Sequence, residues 1–232
     1  MIFDPLYFLM IAPALALAFW AQMRVKSKFA AAHEVRTPLS GAAAARHILD
    51  SAGLQNVAVE QVPGQLTDHY DPRDKVLRLS HDVYSGRSTA AVGIAAHEAG
   101  HALQDAHRYA PLVLRNAAVP VANFGGSMST LLIMAGIGML YAQIAAGQTM
   151  LLFGIAAFAC VVVFQLINLP VEFDASARAK RLLVDYGIVP QDDMVHVNRV
   201  LNAAAWTYVA GTLQAVLTLL YYVIRFAGSS RD

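Results

Sequence analysis

A run of 56 residues without a charged side chain, 116–171, is the feature that most constrains how this sequence can fold. The run also lacks histidine. A helix needs roughly 20 apolar residues to cross the hydrocarbon core of a bilayer, so this run is long enough for two crossings. We therefore predict a transmembrane hairpin over 116–169. Its spans lie near 117–143 and 149–169, and it turns where small and polar residues interrupt the run at 145–148.

Two shorter uncharged runs predict one further span each. They cover 19 residues at 5–23 and 25 residues at 200–224. We predict a transmembrane anchor within 1–22, a fourth membrane helix at 203–226 and a short tail at 227–232. The composition agrees, because only 14% of the residues are charged, against about 25% in soluble globular domains. The formal net charge of +1 gives no basic excess, so we expect the lipid bilayer and not nucleic acid as a partner.

The distribution of basic residues predicts which side of the membrane each polar segment occupies. Segment 23–115 carries eleven of the seventeen Lys and Arg residues, 170–204 carries four, and the turn at 144–148 carries none. Cytoplasmic loops are enriched in Lys and Arg, so both basic segments should face the cytoplasm. The first apolar run is followed, not preceded, by Lys26 and Lys28, which favours a retained anchor over a cleaved signal peptide.

Only the segment 23–115 is long enough for a polar domain of its own. Ser40 can cap a predicted helix over 41–52, and a second, Ala-rich helix is predicted from Ser88 to about residue 104. Apolar residues at 57–62 and 75–80 predict two short strands. The expected fold class is therefore a mainly α integral membrane protein with about four transmembrane helices and a small α+β domain containing a short sheet.

The pentapeptide His97-Glu98-Ala99-Gly100-His101 is the motif that carries chemistry. On a helix, residues i and i+4 lie on one face, so both imidazoles can bind one ion. Glu98 is the next residue round the helix and can reach a water molecule bound to that ion. Two histidines, a carboxylate and a water are typical of catalytic zinc. We predict a Zn²⁺ site with His97 and His101 as ligands and Glu98 as general base; the alternative is a core helix with two hydrogen-bonded histidines.

Two residues compete as the third zinc ligand. His107 stands six residues past the second histidine of the motif, as in a longer metalloprotease pattern, but that pattern needs a glycine where this chain has Gln104. Glu172 directly follows the third span, and Pro170 suits the first turn of a helix that opens segment 170–202. Small residues around this carboxylate would allow close helix contact. We predict Glu172 as the ligand; the alternative is a solvated carboxylate at the membrane boundary.

A peptidase of this kind needs an edge strand that binds the substrate and a hydrogen-bond donor that stabilises the oxyanion. An extended peptide usually pairs with an exposed sheet edge. The strand just upstream of the zinc helix is the candidate, although an ordinary sheet strand is equally compatible with its pattern; its residues are Val76, Leu77, Arg78 and Leu79. The predicted oxyanion donor is Tyr208, and the other candidates are Arg199, His196 and Tyr70; the alternative for each of them is a structural role.

Four blocks of this sequence resemble the bacterial YugP-type neutral zinc metallopeptidases. They are Leu-Thr-Asp-His-Tyr-Asp-Pro-Arg at 66–73, Val-Leu-Arg-Leu-Ser at 76–80, Ala-Ala-His-Glu-Ala-Gly-His-Ala at 95–102 and Leu-Pro-Val-Glu-Phe at 169–173. The chain is more distantly similar to the gluzincin-like HtpX-type membrane proteases and CAAX prenyl endopeptidases.

This resemblance implies a zincin-like catalytic domain over 23–115 and a cytoplasm-facing site in a bacterial inner membrane. It also implies the same zinc ligands and the same general base. One departure is that the HtpX-like pattern has an aspartate four residues past its ligand glutamate, where this chain has Ser176. Asp174 is present but lies about 200° from Glu172 on a helix. The sequence therefore does not identify the residues that orient the two histidines.

The sequence therefore predicts a membrane-bound zinc endopeptidase acting on peptide or membrane-protein substrates near the cytoplasmic membrane face. The rival is a catalytically idle scaffold or chaperone, which an intact Glu98 argues against. A metal transporter would want ligands within its spans, yet 116–171 has no ionisable group except Cys160. Several small residues could pack helices within one chain or between chains, and these are Gly125, Gly126, Ser129 and Gly136.

Overall fold

The computed structural model describes residues 4–226 and is mostly helical, with one small sheet. The elements are α1 (Pro5–His33), α2 (Gly41–Ser51), β1 (Ala58–Val62), β2 (His69–Asp71), β3 (Val76–Ser80), α3 (His81–Tyr84), α4 (Thr89–Ala106), α5 (Ala110–Tyr141), α6 (Ala146–Asp185) and α7 (Met194–Phe226). The predicted tail at 227–232 and the first three residues of the predicted anchor lie outside the described residues.

Among the described residues, four helices, α1, α5, α6 and α7, are long and apolar enough to cross a membrane. This confirms the predicted number of spans and a multi-pass membrane protein. Each helix continues beyond the apolar run that predicted it, because the flanking polar residues also favour helix.

Pro170 lies inside α6, which runs without interruption from Ala146 to Asp185. The prediction that Pro170 opens a separate helix is therefore wrong. A proline removes its own backbone N–H donor and its ring crowds the carbonyl group four residues earlier, but membrane helices tolerate proline where neighbouring groups compensate. Consequently Glu172 lies on the direct continuation of a membrane helix.

The chain divides into two compact units. The first comprises the described parts of Met1–Phe19, Leu114–Leu169 and Thr207–Asp232, and the second comprises Trp20–Val113 and Pro170–Trp206.

Within the first unit, glycines bring α5 and α6 close together. A Cβ atom on Gly136 would lie 2.7 Å from the backbone nitrogen of Leu151, and one on Gly125 would lie 3.0 Å from the carbonyl oxygen of Ala157. At these two positions the small residues therefore serve packing within one chain.

The sheet of the second unit has the order β1-β3-β2. β1 pairs with β3 in parallel, from Ala58↔Val76 to Val62↔Ser80. β2 pairs with β3 in antiparallel fashion, over Asp71↔Val76 to His69↔Arg78. Both sides of β3 are thus occupied by neighbouring strands.

The prediction that β3 is an edge strand is therefore wrong. Its apolar side chains are buried, as is typical of a central strand and not of an exposed edge strand. The guanidinium of Arg78 already forms ion pairs with Asp71 and Asp74, at 2.8 Å each. The free edges of the sheet belong to β1 and β2. The misassigned residues are Val76, Leu77, Arg78 and Leu79.

Both predicted helix starts are confirmed, and a serine caps each of them. Ser40 Oγ accepts a 3.2 Å hydrogen bond from the N–H of Ala43 at the start of α2, and Ser88 Oγ accepts one of 3.3 Å from Ala91 at the start of α4. Fourteen of the eighteen residues of α4 are buried. The zinc-motif helix is therefore the central helix of this unit, and it packs against α2, the sheet and parts of α6 and α7.

Candidate metal centre

The helix α4 places the two motif histidines side by side. The ring centroids of His97 and His101 are 4.8 Å apart and the rings are nearly perpendicular. Alanine and glycine around them favour a regular helix and leave space for another helix to approach.

The second helix of the site is α6, which approaches α4 at Gly100. A Cβ atom on Gly100 would lie 2.7 Å from the carbonyl oxygen of Ala175. Ala175 and Ala179 on α6 are themselves completely buried. Such short residues on both helices bring their polar side chains within reach of one another, as the spacing of small residues predicts.

Three ligand atoms converge where the helices meet. Glu172 Oε2 lies 3.3 Å from His97 Nε2 and 3.5 Å from His101 Nε2, and one atom from each residue lies within 4.8 Å of the others. Tetrahedral zinc with bonds of about 2.0–2.1 Å separates its ligand atoms by about 3.4 Å. The exposed fraction of these side chains is only 12% for His97, 11% for His101 and 5% for Glu172.

The donor set fits a metal ion. Glu172 Oε2 is buried and accepts no hydrogen bond from any described residue; a buried carboxylate oxygen without a partner is costly. The Nδ1 atoms of both histidines are engaged by other side chains, Ser176 and Gln104, which leaves both Nε2 atoms facing the carboxylate. Two imidazoles and one carboxylate are the ligands of many catalytic zinc sites.

The charges around the site favour a cation there. Burial alone would lower the pKa of His101, but the carboxylates of Glu172 and Glu98 raise it above its ordinary value. The carboxylates thus stabilise a positive charge at this position. A bound metal ion competes with that proton, so metal binding should release protons.

Glu98 is held by the edge strand β2. Its side chain is largely buried, and its Oε2 accepts a 3.1 Å hydrogen bond from the backbone N–H of Tyr70. The hydroxyl of Tyr70 donates to Asp105 Oδ2 at 2.7 Å, and Asp105 also pairs with Lys75. Burial, and then the hydrogen bond to Asp105, raise the pKa of Tyr70, so its hydroxyl remains a proton donor.

A buried amide connects the two helices beside the site. Gln104 Oε1 lies 2.9 Å from His101 Nδ1. Its Nε2 donates to the carbonyl oxygen of Val171 at 2.8 Å and to Asp174 Oδ2 at 2.9 Å. Helical spacing places Gln104 on the same side of α4 as His97 and His101, but it does not predict the partners of the amide on α6. The distance of Gln104 in sequence from Val171 and Asp174 left no local signal for these contacts.

The position that departs from the HtpX-like pattern also contacts a motif histidine. Ser176 Oγ lies 3.1 Å from His97 Nδ1. A hydroxyl can donate or accept, so this contact is compatible with either tautomer of the ring.

The sequence also predicts roles for residues outside the group of three ligands. His107 follows the last residue of α4, and its Nδ1 lies 3.3 Å from Nη1 of Arg178; the metal-binding group found among the described residues does not include it. The hydroxyl of Tyr70 is committed to Asp105. His196 and Arg199 lie near the start of α7, where Arg199 is exposed. Tyr208 lies on α7 in the first unit, and its role as oxyanion donor stays a prediction.

Comparisons with known proteins agree with this donor set. Residues 7–227 match the model of a family described as "Putative neutral zinc metallopeptidase". The chain is 47% identical over 221 residues to the protein named "Putative membrane protease YugP" of Bacillus subtilis (strain 168), covering 94% of this chain and 95% of that protein. No solved structure matches the chain. The chain therefore belongs to the neutral zinc metallopeptidase family, and its cofactor is zinc.

Proposed function

We propose that this protein is a membrane-bound zinc endopeptidase whose zincin-like catalytic domain, predicted at 23–115, is completed by a ligand from α6. The observation that carries the proposal is the convergence of His97 Nε2, His101 Nε2 and Glu172 Oε2, with separations of 3.3 and 3.5 Å to the carboxylate oxygen. These separations are close to those of tetrahedral zinc ligands, and the carboxylate oxygen has no hydrogen-bond donor among the described residues.

The residues of the site have different roles in hydrolysis. His97, His101 and Glu172 would hold the ion. When bound, zinc lowers the pKa of a water molecule to near 7 and polarises a carbonyl group. Glu98 accepts the proton of the attacking water and passes it to the departing amine. The backbone N–H of Tyr70 orients Glu98 for this transfer, because it holds Oε2 at 3.1 Å.

We assign substrate binding to the outer edge of β2, since β3 is central in the sheet. The N–H of Tyr70 points to Glu98 on α4 and does not take part in the ladder with β3. The free side of β2 therefore faces the helix that carries the general base. An extended peptide that lies along this side would pass beside Glu98, although the N–H of Tyr70 is already bonded to Glu98 and does not pair with the peptide.

The active site is proposed to face the cytoplasm. The polar segments that supply its residues, 23–115 and 170–204, carry fifteen of the seventeen Lys and Arg residues, and such segments are retained on the cytoplasmic side of a bacterial inner membrane. Substrates would be peptides or membrane proteins with a segment exposed at that face.

The deciding experiment compares Glu98→Gln with wild type, with Glu34→Gln as a matched control because Glu34 is exposed. Each protein is purified in detergent, its zinc content is measured, and cleavage of labelled casein and of a peptide library is followed by mass spectrometry. We expect Glu98→Gln to keep its zinc and to lose activity by on the order of 10²-fold or more. Full activity in Glu98→Gln would refute the protease proposal. A zinc-loaded wild type that cleaves nothing would favour the idle scaffold.

A further inference from the structure

We propose that Gln104 is a positioning residue that fixes His101 in the tautomer able to bind a metal through Nε2, and that Asp174 holds Gln104 in place. The metal-binding part of this inference rests on the proposed function, whereas the tautomer part concerns the metal-free protein. Gln104 is completely buried, and all its amide atoms have partners on α4 or α6.

The orientation of the amide follows from its partners. The carbonyl oxygen of Val171 can only accept a hydrogen bond, so the atom of Gln104 that lies 2.8 Å away must be the NH₂ group. The oxygen of the amide then has to face His101 Nδ1, at 2.9 Å. This oxygen can only accept, so Nδ1 must carry the proton. The neutral ring therefore presents the lone pair of Nε2 toward Glu172.

Asp174 and Arg178 hold this amide from the other side. Asp174 Oδ2 accepts the second N–H of Gln104 at 2.9 Å and also pairs with Arg178 Nε at 2.5 Å. The guanidinium of Arg178 in turn lies over the ring of Tyr109, with 5.6 Å between Cζ and the ring centroid. Gln104 therefore cannot rotate its amide without breaking contacts with two acceptors. A metal-binding histidine is commonly oriented in this way through its other nitrogen.

The two histidines of the motif differ in this respect. His97 Nδ1 faces the hydroxyl of Ser176, which can donate or accept and so selects neither tautomer. Of the two histidines, only His101 has an Nδ1 partner, the amide oxygen of Gln104, that can only accept a hydrogen bond. The same amide also ties α4 to the backbone of Val171, the residue before Glu172, so it sets both one ligand nitrogen and the position of the ligand carboxylate.

The first test reads the tautomer without any metal. Protein labelled with ¹⁵N-histidine is stripped of metal, and the imidazole nitrogens are observed by solid-state NMR at an alkaline pH where the rings are neutral, with His101→Gln used to assign the signals. We expect His101 in the wild type to carry its proton on Nδ1 alone. A proton on Nε2, or a mixture of the two tautomers, would overturn the proposal even if the protein binds zinc and cleaves peptides.

The second test measures zinc affinity by competition with a chromophoric chelator. Gln104→Met keeps the side-chain length but removes all three hydrogen bonds, and we expect a loss of about 10–100-fold. Asp174→Asn keeps an acceptor oxygen and should bind zinc within a few-fold of wild type, whereas Asp174→Leu should weaken binding. The matched control is Gln61→Met, at an exposed position of β1, with unchanged affinity expected. Wild-type affinity in folded Gln104→Met would contradict the proposal. A protein that binds zinc as expected but lacks peptidase activity would refute only the proposed function.

Discussion

The backbone N–H of Tyr70 donates a 3.1 Å hydrogen bond to Oε2 of Glu98. This contact joins the edge strand β2 to the helix that carries the zinc motif. The side chain of the same residue reinforces the junction, since its hydroxyl donates to Asp105 and Asp105 pairs with Lys75. The position of the proposed general base thus depends on how firmly β2 is fastened to α4.

Loss of the Tyr70 hydroxyl should loosen this junction. Tyr70→Phe removes the 2.7 Å hydrogen bond to Asp105, and we expect a loss of about 0.5–1.5 kcal/mol in stability, together with a lower kcat and unchanged zinc affinity. Thermal unfolding in detergent and steady-state kinetics measure both effects. Tyr84→Phe is the control, because the hydroxyl of Tyr84 makes no hydrogen bond with the described residues. An equal effect of the two substitutions would contradict the assignment.

The pH dependence of this junction has a definite sign. The folded-state pKa of Tyr70 is raised above its ordinary value of 10.0 by burial and then by the hydrogen bond to Asp105. The resulting stabilisation is therefore fully present below pH 10, the unfolded-state pKa, and is lost as the pH rises through the folded-state pKa. We expect the stability difference between wild type and Tyr70→Phe to shrink when unfolding is measured at strongly alkaline pH. A difference that grows there would be the contrary result.

The third ligand can be tested by a pair of substitutions. Glu172→Ala removes the carboxylate that lies 3.3 and 3.5 Å from the two histidine nitrogens, and the zinc affinity should fall by more than the 10–100-fold typical of residues behind the ligands. His107→Ala should leave zinc binding unchanged, because His107 contacts Arg178 beyond the end of α4. Metal analysis after dialysis and chelator competition measure both. If His107→Ala lost zinc and Glu172→Ala kept it, the ligand assignment would pass to His107.

The sequence predicts the helices and the zinc motif well because these depend on local patterns. Uncharged runs mark the membrane helices, and Ser40 and Ser88 cap helices within three residues of themselves. The motif spacing places two histidines on one helical face regardless of the rest of the fold.

Other features escape sequence analysis because they depend on pairing between distant residues. The central position of β3 follows from which strands pair with it, and the three-residue strand β2 is too short to show an alternating pattern. The continuity of α6 through Pro170 depends on compensation by neighbouring groups, which the residues next to the proline in sequence do not reveal. The role of Gln104 is invisible for the same reason, since its acceptors on α6 come 67 and 70 residues later.

Close contact between α4 and α6 is a further requirement of the site. Gly100→Ala would place a Cβ atom 2.7 Å from the carbonyl oxygen of Ala175, and backbone cannot give way as a flexible side chain does. We expect a loss of about 1–3 kcal/mol in stability and weaker zinc binding, because Glu172 moves away from the histidines. Gly211→Ala is the control, since a Cβ atom there meets nothing within 4 Å. Thermal unfolding with and without zinc compares them, and an unaffected Gly100→Ala would exclude such close packing.

The predicted orientation in the membrane can be checked with fused reporters. Four crossings with the basic segments in the cytoplasm place both chain ends outside, and the connection between α5 and α6 carries no Lys or Arg. Alkaline phosphatase, active only outside the cytoplasm, should therefore be active when fused after Asp232, and green fluorescent protein should fluoresce when fused after Arg115. The exchanged fusions are the matched controls and should be silent, because each reporter then lies on the wrong side. Fluorescence of the fusion after Asp232 would place that residue in the cytoplasm. It would contradict the four-crossing arrangement and would remove the support for a cytoplasmic active site.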